Sequence, residues 1–258
     1  PENTDIANTR FLVLIGSHLG ENMHNTQVQE FAEAIRRGAK IVVVDPRFSV
    51  AASKANWYLP IKPGTDTALL LAWMNVIVGE KLYDVDYATR YGGELEKFKD
   101  AVKDNTPEWA EKITEIPAAT IREVAREMAL AKPAVLVHPG RHVTWYGDDT
   151  QRSRAIALLN ALMGSWGRQG GFFLPSGVTV PRYPAPAYPK PAKAANDGSG
   201  TTYPLADEVL ASGLCDATIS ATPYQAKAWL VYGTNLIQSL PNPRKTIGPS
   251  VPPAANTG

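Results

Sequence analysis

Residues 40–66, KIVVVDPRFSVAASKANWYLPIKPGTD, constrain the fold more than any other stretch of the chain. Ile41 to Val44 is a short, wholly apolar, β-branched run, the pattern of a parallel strand buried on both faces. It stops at Asp45-Pro46-Arg47. Proline has no N–H to continue a ladder, so the carboxylate and the guanidinium fall at the C-terminal edge of the strand. In an open α/β sheet that edge is where nucleotides and cofactors bind. Farther on, Pro63-Gly64-Thr65-Asp66 makes a second turn of the same kind and leads into an apolar helix starting at Thr67. Two turns so close together, each offering amides and ionic groups, point to a guanine-like or phosphate-bearing ligand.

The flanking sequence extends the same pattern. Phe11 to Ile15 is another apolar strand, followed by the loop Gly16-Ser17-His18-Leu19-Gly20-Glu21-Asn22. A helix over 26–37 carries Val28, Phe31, Ala32 and Ile35 on one face, with Gly38 as its stop. A short helical turn at 51–55 and a strand at 57–61 complete a βαβαβ alternation, and right-handed crossovers make its strands parallel. From 66 to 130 the pattern is helical. One helix spans 67–78, and a second starts at Thr106-Pro107-Glu108, a cap residue followed by proline in the first turn. A third, opened by Pro117, has Ile121, Val124, Ala125 and Met128 at helical spacing. A strand returns at 134–137 and ends in His138-Pro139-Gly140-Arg141-His142, and an apolar helix follows over 156–166. The expected organisation is an α/β domain over 1–170 and a connector over 171–226, rich in proline and glycine. A second α/β domain begins over 227–258, with a strand at 228–232 running into Gly233-Thr234-Asn235.

Lys and Arg number 26 against 25 Asp and Glu, so no bulk field favours nucleic acid or an anionic membrane. The single cysteine, Cys215, excludes an intrachain disulfide and a cysteine-held iron–sulfur cluster among these residues. The four histidines, His18, His24, His138 and His142, lack the paired spacing of a zinc site. The longest apolar stretch, 68–78, contains Asn75 and is too short to span a bilayer. No P-loop, paired carboxylates or Ser/His/Asp order stands out.

Taken singly, the polar positions have plain structural readings too. The loop 16–22 has the place of a dinucleotide-binding turn without its GxGxxG pattern, and ordinary strand-to-helix turn chemistry explains it equally well. Asp45 and Arg47 can form a salt bridge at the strand end, and Asp66 can be the N-cap of the following helix. Arg141 and His142 are the one cation–imidazole pair on a strand-end turn, where structural and catalytic roles are both open.

Together, several segments resemble the catalytic subunits of the molybdopterin oxidoreductase, or dimethyl sulfoxide reductase, family. They are LIGSHLGEN (14–22), VVVDPRFSVAASKANWYLPIKPGTDTALLLAW (42–73), REVAREMA (122–129), HPGRHVTWYGDDTQRSRAIALLNALMGSWGRQGG (138–171) and WLVYGTNLIQSLPNPR (229–244). Within the family, GRHVTWYGDDTQRSRA and VYGTNLIQSLPNP are most similar to polysulfide and thiosulfate reductase subunits. The resemblance implies a Rossmann-like fold with a helical insert. It also implies a bis(molybdopterin guanine dinucleotide) cofactor holding molybdenum or tungsten between two related α/β domains. Gly16, Ser17, His18, Glu21, Asn22, Asp45, Pro46, Arg47, Ser49, Gly64, Thr65 and Asp66 would cradle one guanosine and its phosphates. Asp66 can accept from guanine N1–H and N2–H₂, and amides at a helix start suit phosphate oxygens. Gly140, Arg141 and His142 would face the pterin or the metal, with Arg141 able to hold an anionic sulfur substrate. Gly233, Thr234 and Asn235 would serve the second cofactor half.

The family's [4Fe–4S] domain and the protein ligand to the metal are expected outside these residues, so no metal ligand is assigned here. The expectation is a central fragment, inactive alone, of a periplasmic enzyme reducing polysulfide, thiosulfate or tetrathionate. Its partners would be an iron–sulfur electron-transfer subunit and a membrane anchor subunit. Arsenate reduction and formate oxidation in the same family, or a cofactor-free respiratory-complex subunit, are the alternatives.

Overall fold

The computed structural model describes residues 3–17, 19–21, 25–140, 149–174, 177, 181, 184, 214–222, 224, 227–239, 243–244 and 247. The chain divides into two compact units, residues 1–178 and 179–258. The first unit is built on a parallel sheet of β1 (Phe11–Ile15), β2 (Lys40–Val44), β3 (Trp57–Leu59) and β4 (Val135–His138) in the order β3-β2-β1-β4. The strands run level: Ile15 lies opposite Val44, Val44 opposite Leu59, and Leu14 opposite His138. Every strand therefore delivers its C-terminal residues to one edge of the sheet.

Alternation along each strand separates two cores, because successive side chains point to opposite faces. Phe11, Val13, Ile15, Val42, Val44, Val135 and Val137 face one way, toward α2 (Asp66–Gly79), α6 (Ala118–Leu130) and α7 (Asp149–Leu162). Leu12, Leu14, Ile41, Val43 and Leu136 face the other, toward α1 (Asn25–Arg36) and the 3-10 turns Ile6–Asn8 and Ala52–Lys54. Helices on both faces explain why the strands are so largely apolar, with Lys40 exposed at the start of β2 and His138 closing β4. A parallel sheet covered twice has no wet side to accept polar residues.

The apolar helix after Asp66 is as expected and is buried almost all round. It packs among α4 (Leu95–Val102), α5 (Pro107–Thr114), α6 and α7, with Leu70, Trp73, Met74 and Ile77 fully withdrawn from water. Helix α5 opens as its sequence dictates, with Pro107 in the first turn and the Thr106 hydroxyl accepting from the Trp109 N–H. Helices α3 (Val85–Tyr91) and α4 fill the helical region before it.

Four expectations need correction. Helix α7 spans 149–162 rather than 156–166, since Asn160 turns inward to the β4 backbone and Gly164 takes a left-handed φ of 70°. Asp66 is the first helical residue of α2 rather than its cap. Thr65 holds the cap position without a side-chain bond to the helix. The stretch 228–232 forms no strand. Leu230 and Tyr232 are almost fully exposed, with no neighbouring strand among the described residues to pair with. The region set aside as connector contains α8 (Leu214–Ser220), whose Cys215 is buried. The second unit also holds a short helix, α9 (Leu236–Ser239).

Candidate functional site

The order β3-β2-β1-β4 reverses direction at β1. The chain moves outward through β2 and β3, then crosses back to β4 on the other side of β1. A switch of this kind opens a crevice beyond the strand ends, where loops on either side diverge. Most of the sequence-selected residues of the first unit lie along this edge.

On the β1–β2 side, two loops are tied together. Gly16 leaves β1 in a left-handed conformation, φ 55°, and donates its N–H to Val44 O at 3.0 Å. Asp45 follows Val44 and is buried, and its carboxylate accepts from the Arg47 N–H at 2.8 Å, closing the Asp-Pro-Arg turn on itself. The anticipated Asp45–Arg47 salt bridge is replaced by another pair. Arg47 reaches the preceding loop and meets Glu21 at 2.6 Å, while Glu21 also accepts from the Val50 N–H at 2.8 Å. The Glu21 carboxylate, by its hydrogen bond, holds the Arg47 guanidinium still more firmly protonated than usual. Ser17 is buried beside Gly16, and Ser49 accepts from the Ala52 N–H at 3.2 Å, starting the 3-10 turn there. Pro46, between Asp45 and Arg47, is exposed to solvent.

On the other face of the sheet, the turn before α2 presents Gly64 and Thr65. Gly64 has φ 81°, and Thr65 donates its hydroxyl to Lys62 O at 2.7 Å. Neither Gly16 nor Gly64 has a heavy atom within 4 Å of the place a Cβ would take, among the described residues. Both turns therefore border open space at the sheet edge, and both need the left-handed backbone that glycine adopts at no steric cost. Asp66 opens α2, with its Oδ2 3.1 Å from Arg152 Nη1 in the first turn of α7. The α2 start adds unpaired backbone N–H groups and the positive end of a helix dipole.

Beyond β1, His138 ends β4 and is buried. Its Nδ1 accepts from the Gly140 N–H at 3.0 Å, and the Gln27 side-chain amide lies 3.4 Å from Nε2. An imidazole whose Nδ1 accepts carries its proton on Nε2, so the ring fixes the turn into Gly140, with Gln27 of α1 lying alongside it. His138 is not among the residues that the sequence assigns to the ligand, although it closes an apolar strand. Its place at a level strand end was the available signal.

His18, Asn22, Arg141 and His142 lie outside the described residues. Gly233, Thr234 and Asn235 belong to the second unit, where all three are exposed or nearly so. Gly233 has φ 65°, and Asn235 Oδ1 accepts from the Ile237 and Gln238 N–H groups at the start of α9. Among the described residues no cluster of His, Cys, Asp and Glu could hold a metal ion. No helix among them is long and apolar enough to cross a membrane.

The edge thus combines left-handed glycine turns, a helix start, a withdrawn carboxylate and space, which suits an extended ligand with phosphates at one end and a hydrogen-bond-donating base at the other. A family model described as molybdopterin oxidoreductase matches residues 2–248. The thiosulfate reductase molybdopterin-containing subunit PhsA of Salmonella typhimurium is 34% identical over 251 residues, covering 92% of this chain and 33% of that protein. The arsenate respiratory reductase molybdopterin-containing subunit ArrA of a Shewanella species is 32% identical over 195 residues, covering 66% of this chain and 23% of its own length. Among solved structures, acetylene hydratase from Pelobacter acetylenicus superposes with a TM-score of 0.59 at 29% identity, over 64% of this chain and 23% of that one. The chain therefore spans about a third or less of the length of these relatives.

Proposed function

The chain belongs to the molybdopterin oxidoreductase family, and from that membership we propose that it is the cofactor-cradling α/β segment of a reductase acting on thiosulfate, polysulfide or tetrathionate. The observation that carries the sulfur substrate is the 34% identity to a thiosulfate reductase subunit over 92% of the chain. The cofactor in this reading is bis(molybdopterin guanine dinucleotide) with molybdenum or tungsten, held in part by a Rossmann-like nucleotide-binding sheet edge. When bound, it supplies the redox centre at which two electrons reach the substrate.

The residues present fit the nucleotide end of that group. Open space beside Gly16 and Gly64 admits phosphates close to the backbone, and the α2 N-terminus adds oriented amides. Asp66 offers a carboxylate to the guanine N1–H and N2–H₂ donors. The Glu21–Arg47 pair ties the 16–21 loop to the 45–50 turn, so both walls keep their spacing. His138 anchors the turn that leads to Arg141 and His142. In the same reading Arg141 binds an anionic sulfur substrate and His142 lies beside it. Gly233, Thr234 and Asn235 serve the second nucleotide.

The reaction would be reductive S–S cleavage: thiosulfate, two electrons and two protons give hydrogensulfite and hydrosulfide. The electrons would come through a [4Fe–4S] centre and an iron–sulfur partner subunit, with a membrane anchor subunit holding the assembly in the periplasm. Positioning and electrostatics are the part these residues perform. A second reading, arsenate reduction, is supported by the 32% identity to ArrA. The deciding experiment assays the full-length protein, purified without oxygen and with its metal content measured, on thiosulfate, polysulfide, tetrathionate and arsenate. Turnover of arsenate alone would select the second reading, and a protein without molybdenum or tungsten would refute both.

A further inference from the structure

Arg152 sits where the first turns of α2 and α7 meet. Its Nη1 is 3.1 Å from Asp66 Oδ2, and each side chain is only 14% exposed. Among the ion pairs of the described residues, no other has both partners so withdrawn; the Arg126–Glu80 pair, for example, is 56% and 38% exposed. A pair taken this far from water depends on both members, because removing one strands the charge of the other. Arg152 therefore limits how far the Asp66 carboxylate can turn.

That restraint has a chemical consequence at a nucleotide edge. A carboxylate has two oxygens with about four lone-pair directions. The contact to Arg152 uses one of them on Oδ2, leaving Asp66 able to accept further donors at the α2 N-terminus. Guanine presents N1–H and N2–H₂ side by side, two donors converging on two oxygens. Adenine presents a donor beside the N1 lone pair, which opposes a carboxylate oxygen. A carboxylate free to rotate can turn that oxygen aside and tolerate adenine. One held from behind cannot, and discrimination grows with the unfavourable contact it is forced to keep.

We propose that Arg152 is a positioning residue for base selection, holding the Asp66 carboxylate so that a guanine base is accepted and an adenine base rejected. The inference rests on the reading of Asp66 as the guanine-facing carboxylate. It concerns a residue of α7, which is distant from α2 along the chain and packed against it in the fold.

The test is calorimetric titration of the 258-residue chain with guanosine diphosphate and with adenosine diphosphate, which share one phosphate chain. The ratio of the two affinities then isolates the base. Arg152→Gln should lower the guanine preference by about tenfold, a loss of about 1.4 kcal/mol of discrimination, with little change for adenosine diphosphate. Arg152→Lys, which keeps the charge without the planar fork, should restore only part of the preference. In an Asp66→Asn background, Arg152→Gln should change the ratio by less than about twofold, because coupled residues are not additive.

Thermal unfolding of each variant distinguishes a lost fold from a lost preference. An unchanged ratio in folded Arg152→Gln, or equal weakening of both nucleotides, overturns the proposal and leaves Arg152 a structural partner only. If the Gln variant does not fold, the Lys variant decides: an undiminished ratio overturns the proposal and a partial loss supports it. A wild-type chain with no guanine preference defeats the earlier reading of Asp66 itself, a result distinct from the others.

Discussion

Asn160 directs its amide at the backbones of two elements at once. Its Oδ1 accepts from the Val137 N–H at 2.9 Å, and its Nδ2 donates to Val137 O and to Ile156 O, each at 2.9 Å. Val137 lies on β4, at the edge of the sheet, so the side chain takes the place that another strand would fill. The residue is fully buried, and truncation would leave the Val137 groups without a partner. Asn160→Ala should cost about 1–3 kcal/mol in denaturant unfolding, with faster hydrogen exchange at the Val137 amide. Unfolding equal to wild type would show that water enters and replaces the amide. The same scale shows what the sequence disclosed about the site. Asp45, Arg47 and Asp66 were legible as polar residues closing apolar strands or opening a helix. Their partners were not, because Glu21 and Arg152 come from loops and helices that only the folded chain brings near. His138 escaped notice for the same reason, since its contacts run to α1 and to its own turn.

Among the elements, α2 was the easiest to read and α7 the hardest to bound. A helix apolar on all sides has one stable place, between other layers, and α2 occupies it. Leu70 in α2 is fully buried, whereas Leu130 at the end of α6 is 77% exposed. Leu70→Ala should therefore destabilise the first unit by about 2–5 kcal/mol. Leu130→Ala should stay within about 0.5 kcal/mol of wild type, as surface changes generally do. Similar losses for the two would contradict the assigned packing of α2. Glu80, just past α2, meets Arg126 of α6 at 2.8 Å. The hydrogen bond from Arg126 holds the Glu80 carboxyl below its ordinary 4.5, against a smaller opposing effect of burial. A carboxylate lowered on folding stabilises above its unfolded value, and the contribution disappears as pH falls through the folded one. Arg126→Gln should thus lower the melting temperature slightly at pH 7, with the gap closing as the pH drops below 4.5. A gap that persists in acid would assign the loss to packing of the arginine stem instead. Helix α7 began earlier than its apolar run indicated. Its first turn, DTQR, is polar and shows no helical stripe, and the contact between Arg152 and α2 is tertiary.

In the whole molecule, the sheet, both cores and the proposed first nucleotide edge all fall within residues 1–178. A chain ending at 178 should unfold cooperatively and keep the guanine-nucleotide stabilisation of the 258-residue chain, about 2.7 kcal/mol at a hundredfold excess over the dissociation constant. Stabilisation confined to the longer chain would place part of that first nucleotide site beyond residue 178. The parallel sheet was legible from local pattern because strand burial is written residue by residue: four or five apolar positions in a row, then a polar turn, fit a strand covered on both faces. The second unit was less legible. The apolar run at 228–232 has the same local composition as the other strands, but a strand also needs a neighbour in register, and none of the described residues provides one. By itself, the sequence determined which segments are apolar, where they stop, and therefore which polar groups collect at the C-terminal edge of the sheet. Only the tertiary structure decided which charges pair across that edge, Glu21 with Arg47 and Asp66 with Arg152. Hydrophobic periodicity is a property of neighbours in the chain. An ion pair is a property of distance in space, and no local pattern encodes a contact between residues 86 positions apart.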